Sequence, residues 1–232
     1  MAKVMLNIYM YPALDVTSRR SLIVLHGLGD SKEGYHWLPE ALKLDYLTYI
    51  FVDAPDRYGD GYSWFHINQE TLEPHPKFVA RSRIYLFQLL DYLEEHKYPV
   101  EQMVIFGFSQ GCLMCWEIGV RYQKVLGGII GISGWAAENT NIFESVTEIS
   151  KQQRFLITHG VYDPLLPVER VREQIQIFKA KGLNIQYHEI EKEHTILTEK
   201  EIPLFRSFIN KVLMEEPVNA NVNNCYKQQT QS

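Results

Sequence analysis

Short apolar runs alternate along this chain with longer segments in which apolar residues recur every three or four positions. The runs cover residues 21–27, 46–55, 103–108, 126–133, 154–160 and 184–190, and each has the length of a buried strand. The longer segments cover residues 32–43, 75–99, 109–124, 167–182 and 199–213, and each is predicted to form a helix. Parallel strands separated in this way are joined by crossover helices. The pattern therefore predicts an α/β fold whose mainly parallel sheet is covered by helices on both faces.

The chain is predicted to form one domain followed by a loose tail. Neither an internal repeat nor a linker rich in proline and serine divides its 232 residues. The segment 138–153, between two predicted strands, is too short for a large cap domain. Residues 215–232 contain almost no apolar side chains, a composition typical of disorder. We therefore expect a single α/β domain over residues 1–214, with a strand within 1–15, and a disordered tail over 215–232.

Composition narrows the class of protein further. Hydrophobic residues make up 46% and charged residues 22% of the chain, which is ordinary for a folded globular protein. The formal net charge of −5 argues against general binding to nucleic acid or to an anionic membrane surface, because both require clustered Lys and Arg. No apolar run approaches the roughly 20 residues that span a bilayer, and the N-terminus lacks the pattern of a signal peptide. Three cysteines without a disulfide framework favour a reducing, cytoplasmic location.

A G-x-S-x-G motif marks the point where a predicted strand meets the next helix. Ser109 lies between Gly107 and Gly111, at the end of the strand 103–108 and the start of the helix 109–124. A nucleophile held on such a sharp turn needs neighbours without side-chain bulk, which glycine supplies. Glycine also occurs at many ordinary turns between strand and helix, but here the serine hydroxyl would point out of the carboxyl edge of the sheet. We therefore predict that Ser109 is a catalytic nucleophile.

The predicted nucleophile requires two partners, because a serine hydroxyl needs a base and the base needs a carboxylate that fixes its tautomer. When the serine lies on a turn between a parallel strand and a helix, the three residues follow one another along the chain as serine, acid and histidine. Asp163 is the only aspartate after Ser109, and it comes shortly after the strand 154–160. Of the two histidines that follow it, His188 lies inside a predicted strand, whereas His194 lies in the loop after that strand. Asp163 and His194 are therefore the predicted partners.

Two backbone N–H groups are predicted to stabilise the oxyanion that forms when the serine attacks. One belongs to Gln110, the residue directly after the nucleophile. The other belongs to Leu28, in the glycine-rich sequence HGLGD (26–30) at the end of an earlier strand. His26 and His159 are interpreted as residues that organise loops through hydrogen bonds, because the chain order already assigns the base to another histidine.

Five motifs together resemble the phospholipase/carboxylesterase family of α/β hydrolases, which includes acyl-protein thioesterases and small bacterial carboxylesterases. They are HGLGD (26–30), SWF (63–65), GFSQG (107–111), HGVYDPLLP (159–167) and the late histidine at 194, and the resemblance covers about residues 20–213. It implies an α/β-hydrolase fold and a serine hydrolase of carboxylic esters or thioesters that needs no cofactor or metal. It also implies a triad of Ser109, Asp163 and His194, an oxyanion hole at Leu28 and Gln110, and Trp64 and Phe65 beside the acyl site.

Apolar residues near the predicted nucleophile indicate a substrate with a hydrocarbon chain. The loops of Leu28, Trp64–Phe65 and Leu165–Leu166 are all expected at the carboxyl edge of the sheet, where Ser109 emerges. The predicted substrate-binding residues are Trp64, Phe65, Leu165 and Leu166. The expected partner is a small acyl ester or thioester. A lysophospholipid, an acylated protein and a small soluble ester all stay open, as do a monomer and a homodimer.

Three positions depart from the family pattern. Cys112 stands where the family often has a second glycine, His66 where it often has aspartate, and Glu193 where it often has glycine before the late histidine. Cys112 predicts slightly tighter packing behind the turn. His66 and Glu193 bear on substrate preference more than on catalysis.

Other patterns lead to alternatives. Cys112 and Cys115 form a C-x-x-C sequence, but a helix packed on the sheet makes them small buried side chains rather than a redox pair. The charged run EIEKEH (189–194) lacks the second histidine of a metal site and is interpreted as a solvated loop. The alternative class is a non-catalytic hydrolase-fold protein that binds a ligand or partner, which would normally lack one of the three predicted catalytic residues.

Overall fold

Nine strands and five α-helices make up the part of the chain that the computed structural model describes, residues 6–68 and 73–214. The strands are β1 (Ile8–Tyr11), β2 (Arg20–Leu25), β3 (Leu47–Val52), β4 (Asp56–Tyr58), β5 (Gly61–Ser63), β6 (Met103–Phe108), β7 (Gly128–Ile132), β8 (Arg154–Gly160) and β9 (Asn184–Ile190). The helices are α1 (Leu38–Leu42), α2 (Pro76–Glu95), α3 (Gln110–Arg121), α4 (Val168–Ala180) and α5 (Thr198–Met214).

Seven of these strands form the central sheet, in the order β1–β3–β2–β6–β7–β8–β9. Strand β1 pairs antiparallel with β3, and all the other neighbouring strands of this sheet pair in parallel. The predicted mainly parallel sheet is therefore confirmed. Because parallel strands point the same way, the loops after β2, β6, β8 and β9 all emerge at one edge of the sheet.

Each face of the sheet packs against its own layer of helices. Helices α2, α3 and α4 cover one face, where Leu90, Leu113 and Phe178 belong to a single apolar cluster with strand residues. Helices α1 and α5 cover the other face, where Leu42 and Phe205 belong to a second cluster. Strands β3 and β7 are buried along their whole length, which explains why they appear in the sequence as continuous apolar runs. Among the described residues, no segment forms a large cap over the sheet.

Local features differ from the sequence expectation in three places. Strands β4 and β5 form a separate antiparallel hairpin, which the apolar pattern does not reveal because three residues are too few for a clear alternation. The predicted helix 32–43 is divided into a 3₁₀ turn at Lys32–Tyr35 and the short helix α1. Of the strand expected within residues 1–15, the described residues form β1, and residues 1–5 lie outside them. The predicted tail, 215–232, lies outside the described residues.

Candidate active site

The turn between β6 and α3 holds Ser109 in a backbone conformation that residues other than glycine rarely adopt. Its φ is 54° and its ψ is −115°, and such strain persists only where the surroundings enforce it. A Cβ atom on Gly107 would lie 2.3 Å from the carbonyl oxygen of Gly111, and a Cβ atom on Gly111 would lie 2.2 Å from that of Leu25. The close approach of these backbones therefore requires both glycines of the G-x-S-x-G motif.

Side chains from two other loops meet the Ser109 hydroxyl. The Nε2 atom of His194 lies 2.9 Å from the Oγ atom of Ser109, and the Nδ1 atom of His194 lies 2.7 Å from Oδ2 of Asp163. Asp163 follows β8 and His194 follows β9, so the parallel strand order brings both residues to the edge where Ser109 emerges. When Nδ1–H donates to the carboxylate, Nε2 is left to accept the serine proton.

The Asp163 carboxylate is fixed by its own loop. Its Oδ1 atom accepts the N–H groups of Leu165 and Leu166, each at 2.9 Å. His159 lies behind it, with Nε2 3.6 Å from Oδ2 of Asp163 and 2.9 Å from the carbonyl oxygen of Leu166, to which it donates. Burial lowers the pKa of His159 and favours its neutral form. His159 thus organises the loop that carries Asp163.

Leu28 and Gln110, the predicted oxyanion residues, line the same cavity as Ser109. Gln110 is the first residue of α3, so its N–H has no partner within the helix. Among the hydrogen bonds of the described residues, none uses the N–H of Leu28, whereas that of Gly29 donates to the carbonyl of Tyr62 at 2.9 Å. Both N–H groups are therefore available to an oxygen atom of a ligand.

The loop that carries Leu28 is fixed from behind by His26 and Trp64. His26 accepts the N–H of Ala54 at Nε2, 3.1 Å away, and donates its Nδ1–H to the carbonyl of Gly27 at 2.6 Å. Burial lowers the pKa of His26, which favours the neutral form that this pair of bonds requires. The indole N–H of Trp64 donates to the carbonyl of His26 at 2.9 Å. Trp64 is thus part of the support of this loop.

The structure does not bring Trp64 and Phe65 to the cavity of the serine, contrary to the sequence expectation. Both side chains are fully buried, and neither contributes to the walls of that cavity. The Gln110 side chain holds the segment, since its Oε1 accepts the N–H of Trp64 at 2.9 Å and its Nε2 donates to the carbonyl of Phe65 at 3.0 Å. Phe65 lines a second cavity of about 420 Å³, which also contacts Leu28. An aromatic pattern in the sequence cannot distinguish an inward from an outward orientation.

An apolar cavity of about 380 Å³ opens at the serine hydroxyl. Besides Ser109 and His194, its walls are formed by Leu28, Ile67, Phe108, Gln110, Trp135, Leu165 and Leu166. Leu165 and Leu166 are thus at the place predicted for them. Ile67, Phe108 and Trp135 are wall residues that the sequence pattern does not indicate, although Phe108 directly precedes Ser109 and Trp135 follows β7 at the same edge. Such walls favour a hydrocarbon group.

The cysteine behind the turn is accommodated by glycines of a neighbouring strand and loop. A Cβ atom on Gly131 or on Gly134 would lie 2.7 Å from the sulfur of Cys112. Burial raises the pKa of the Cys112 thiol to about 12 and that of Cys115 well above its usual value. Both thiols are therefore protonated packing groups rather than a redox pair. Cys225 lies outside the described residues.

The other two departures from the family pattern lie at the margin of the site. The Nε2 atom of His66 lies 3.2 Å from Oδ2 of Asp56, and its ring stacks on Phe78 with a centroid distance of 4.1 Å. His66 also lines the second cavity. Glu193 is exposed directly before His194. Both side chains can therefore meet a substrate that extends beyond the cavity of the serine.

The charged run EIEKEH is not uniformly solvated, which corrects the sequence interpretation. Glu191 and Glu193 are exposed, but the side chain of Lys192 is only 1% exposed and pairs with Glu201 of α5. A sequence signal existed for Glu201, because it lies four residues before Phe205 on the buried face of the helix. Within residues 6–68 and 73–214, no three His, Cys, Asp or Glu side chains are grouped so that they could hold a metal ion.

The mainly parallel sheet, with a serine on the turn between a strand and a helix, is the α/β-hydrolase fold. A carboxylesterase of Bacillus cereus superposes with a TM-score of 0.76 at 16% identity, covering 90% of this chain and 95% of that one. The acyl-protein thioesterase 2 of Zea mays superposes with a TM-score of 0.74 at 19% identity, covering 89% of this chain and 99% of that one. At these identities the likeness establishes the fold alone.

Sequence similarity identifies the family. A family model described as phospholipase/carboxylesterase matches residues 14–213. The acyl-protein thioesterase 1 of Candida albicans is 26% identical over 222 residues, which cover 87% of this chain and 96% of that protein. The chain belongs to the phospholipase/carboxylesterase family and is a carboxylic ester hydrolase of the carboxylesterase or thioesterase type. This result favours the enzyme over the non-catalytic alternative. No helix in the described part of the chain has the length and apolar character needed to cross a bilayer.

Proposed function

We propose that this chain hydrolyses carboxylic esters or thioesters through a covalent acyl-enzyme on Ser109. The observation that carries the proposal is the continuous set of contacts from Ser109 Oγ through His194 to Asp163, with distances of 2.9 and 2.7 Å. Ser109 and His194 form part of the wall of an apolar cavity of about 380 Å³. Nucleophile, base and acyl-binding space are therefore adjacent.

In the proposed reaction, His194 Nε2 takes the proton of Ser109 as Oγ attacks the acyl carbonyl carbon. Asp163 accepts the Nδ1–H bond and stabilises the imidazolium. The N–H groups of Leu28 and Gln110 donate to the oxyanion, where one such donor is worth roughly 10²- to 10³-fold in kcat. His194 then protonates the leaving alcohol or thiol, and the acyl group stays on the serine. A water molecule deprotonated by His194 attacks this acyl-enzyme and releases the acid and the free serine.

The proposed substrates carry a hydrocarbon acyl chain, which would occupy the apolar cavity. Leu165 is 66% exposed at its rim, so the leaving group can extend into solvent, and a bulky leaving group such as a protein is sterically compatible. The relatives named acyl-protein thioesterases support a thioester substrate. Esters stay in the proposal, because the same oxyanion and base serve both leaving groups.

Replacement of the proposed nucleophile tests this function. Ser109→Ala should abolish labelling by a fluorophosphonate probe and lower kcat by roughly 10⁴- to 10⁶-fold, on a p-nitrophenyl ester and on the matching S-acyl thioester alike. Its melting temperature should stay near that of the wild type. Ser21→Ala is the matched control, since Ser21 lies in a central strand, β2, and its buried hydroxyl has no hydrogen-bond partner among the described residues. This control should keep its labelling.

Two results would contradict the proposal. Undiminished hydrolysis by Ser109→Ala would place the nucleophile elsewhere. Turnover that does not fall at acidic pH would argue against His194 as the base, because an imidazolium cannot accept the serine proton.

A further inference from the structure

A buried ion pair lies on the loop that carries His194. The Nζ atom of Lys192 lies 2.7 Å from Oε1 of Glu201, and the two side chains are 1% and 0% exposed. Removing two charges from water is unfavourable, and apolar residues at such positions often give equal or greater stability. Burial accordingly lowers the pKa of Lys192 against the effect of Glu201. A gain in stability is therefore a weak explanation for this pair. Its position on the His194 loop suggests a role at the proposed active site instead.

The Glu201 carboxylate connects α5 to strand β8 and to the loop 191–197. Its Oε1 atom accepts the hydroxyl of Thr158 in β8 at 2.6 Å, in addition to the ammonium of Lys192. Its Oε2 atom accepts the N–H of Leu197 at 2.6 Å. One carboxylate thus fixes the end of the loop 191–197 against the sheet.

The Lys192 ammonium fixes the same loop from its other end. Besides Glu201, it donates to the carbonyl of Thr195 at 2.7 Å, directly after His194. The carbonyl of Lys192 accepts the N–H of Tyr162 at 3.1 Å, which joins the histidine loop to the loop of Asp163. An apolar side chain could fill the same space, but it could not supply these directed bonds.

The charges around Lys192 come from several elements. Glu201 faces it from α5, Asp163 and His159 lie on the side of β8, and the protonated thiol of Cys112 faces it from α3. On its own loop, the carboxylates of Glu191 and Glu193 are exposed and are therefore screened by solvent. The ammonium is thus the one cation among these groups, close to the proposed acid and base.

We propose that Lys192 and Glu201 are positioning residues, whose buried pair holds the loop 191–197 so that the His194 imidazole lies between Ser109 and Asp163. This inference rests on the proposed function, in which His194 is the base. Neither residue lines the cavity of the serine. Loss of the pair should therefore lower kcat and leave KM nearly unchanged.

The experiment compares three variants with the wild type: Lys192→Met, Glu201→Gln and the double variant Lys192→Met/Glu201→Met. A single replacement leaves a buried charge or polar group without its partner and should lower the melting temperature, whereas the double variant should recover much of it. A misplacement of about 1 Å can reduce the rate by roughly 10²-fold. We therefore expect kcat to fall about 10- to 100-fold in all three, including the recovered double variant, with KM within about twofold.

Arg83→Met is the matched control for the loss of an ion pair away from the loop. Arg83 pairs with Glu117, whose side chain is 0% exposed, between α2 and α3. This control should lose stability but keep both kcat and KM, whereas Lys192→Met should lose kcat with KM nearly unchanged.

The outcomes separate the two proposals. A stable double variant with wild-type kcat would overturn the positioning role, as would a loss of kcat in Arg83→Met equal to that in Lys192→Met. Both results are compatible with an inactive Ser109→Ala, so the proposed function would stand. Full activity of Ser109→Ala would instead overturn the proposed function, whatever the Lys192 variants do.

Discussion

At the scale of single residues, one carboxylate decides which nitrogen of His194 carries the proton. Asp163 uses Oδ1 for two backbone N–H groups and Oδ2 for Nδ1 of His194. Since both oxygens are engaged as acceptors, the imidazole must present Nδ1–H to the acid and a lone pair to Ser109. The catalytic competence of the proposed triad therefore depends on the acceptor character of this side chain as much as on its charge.

Asp163→Asn should lower kcat by roughly 10³- to 10⁴-fold while the fold persists. An amide that keeps the backbone bonds with its oxygen turns its NH₂ group towards His194, so that Nδ1 becomes the acceptor and Nε2 carries the proton. Steady-state kinetics on a p-nitrophenyl ester measure the loss. Asp53→Asn is the control, because Asp53 is equally buried but pairs with Lys32, and its kcat should fall less than about tenfold. An Asp163→Asn variant that is no slower than this control would disprove the tautomer argument.

Several site residues could be predicted from the sequence because the chemistry restricts their identity and order. Only one aspartate follows Ser109, and only His194 among the later histidines lies in a loop at the right edge. For Trp64 and Lys192 the predicted environments are wrong, because no such chemical restriction fixes the orientation of these side chains. Whether a side chain points inward depends on contacts made far along the chain, such as that of Trp64 with His26 across 38 positions.

At the scale of elements, the apolar runs predicted every strand of the parallel part of the sheet within a few residues. Strands β6, β8 and β9 begin and end where the pattern indicates. Long buried strands give a strong signal because both of their faces are apolar. The hairpin β4–β5 gave none, since its stability comes from pairing and from contacts with the Leu28 loop, such as the bond from Gly29 to Tyr62. Such short elements are specified by their surroundings.

Two buried histidines fix loops at the carboxyl edge and should make stability depend on pH. Burial lowers the pKa of both His26 and His159 in the folded protein. The unfolded chain therefore binds more protons just below the usual histidine pKa of about 6.5, so their contribution is fully present above that pH and decreases as the pH falls. Each buried histidine can contribute at most about 1.4 kcal/mol per pH unit to the slope of the unfolding free energy.

Urea unfolding of the wild type and of His159→Gln, measured from pH 7.5 to 5.0, tests this dependence. Glutamine can still donate to the carbonyl of Leu166 but does not titrate, so the slope below about pH 6.5 should be smaller in the variant. His188→Gln is the control, because His188 is exposed in β9, and its slope should match that of the wild type. If His159→Gln also matches the wild type, the neutral buried histidine is not a source of the pH dependence.

At the scale of the whole molecule, the proposed catalytic side chains and the apolar cavity lie at the same edge of the sheet. The turn after β6 carries Ser109, the loops after β8 and β9 carry the proposed acid and base, and the loop after β2 carries the N–H group of Leu28. No large cap among the described residues covers this edge. Substrate selection should therefore depend on the depth of the apolar cavity more than on enclosure of the whole substrate.

The dependence of kcat/KM on acyl length tests this view, and two substitutions separate cavity wall from scaffold. Across short p-nitrophenyl esters, each buried methylene contributes about 0.8 kcal/mol of binding free energy. This should raise kcat/KM close to fourfold per methylene until the cavity is filled. Leu166→Ala removes part of a wall and should flatten this rise, with little effect on the acetate ester. Trp64→Phe removes the bond to the His26 carbonyl behind the Leu28 loop and should lower kcat/KM by a similar factor for esters of every chain length. If acetate is already the best substrate, or if the two variants give the same profile, the cavity at Ser109 is not the acyl site.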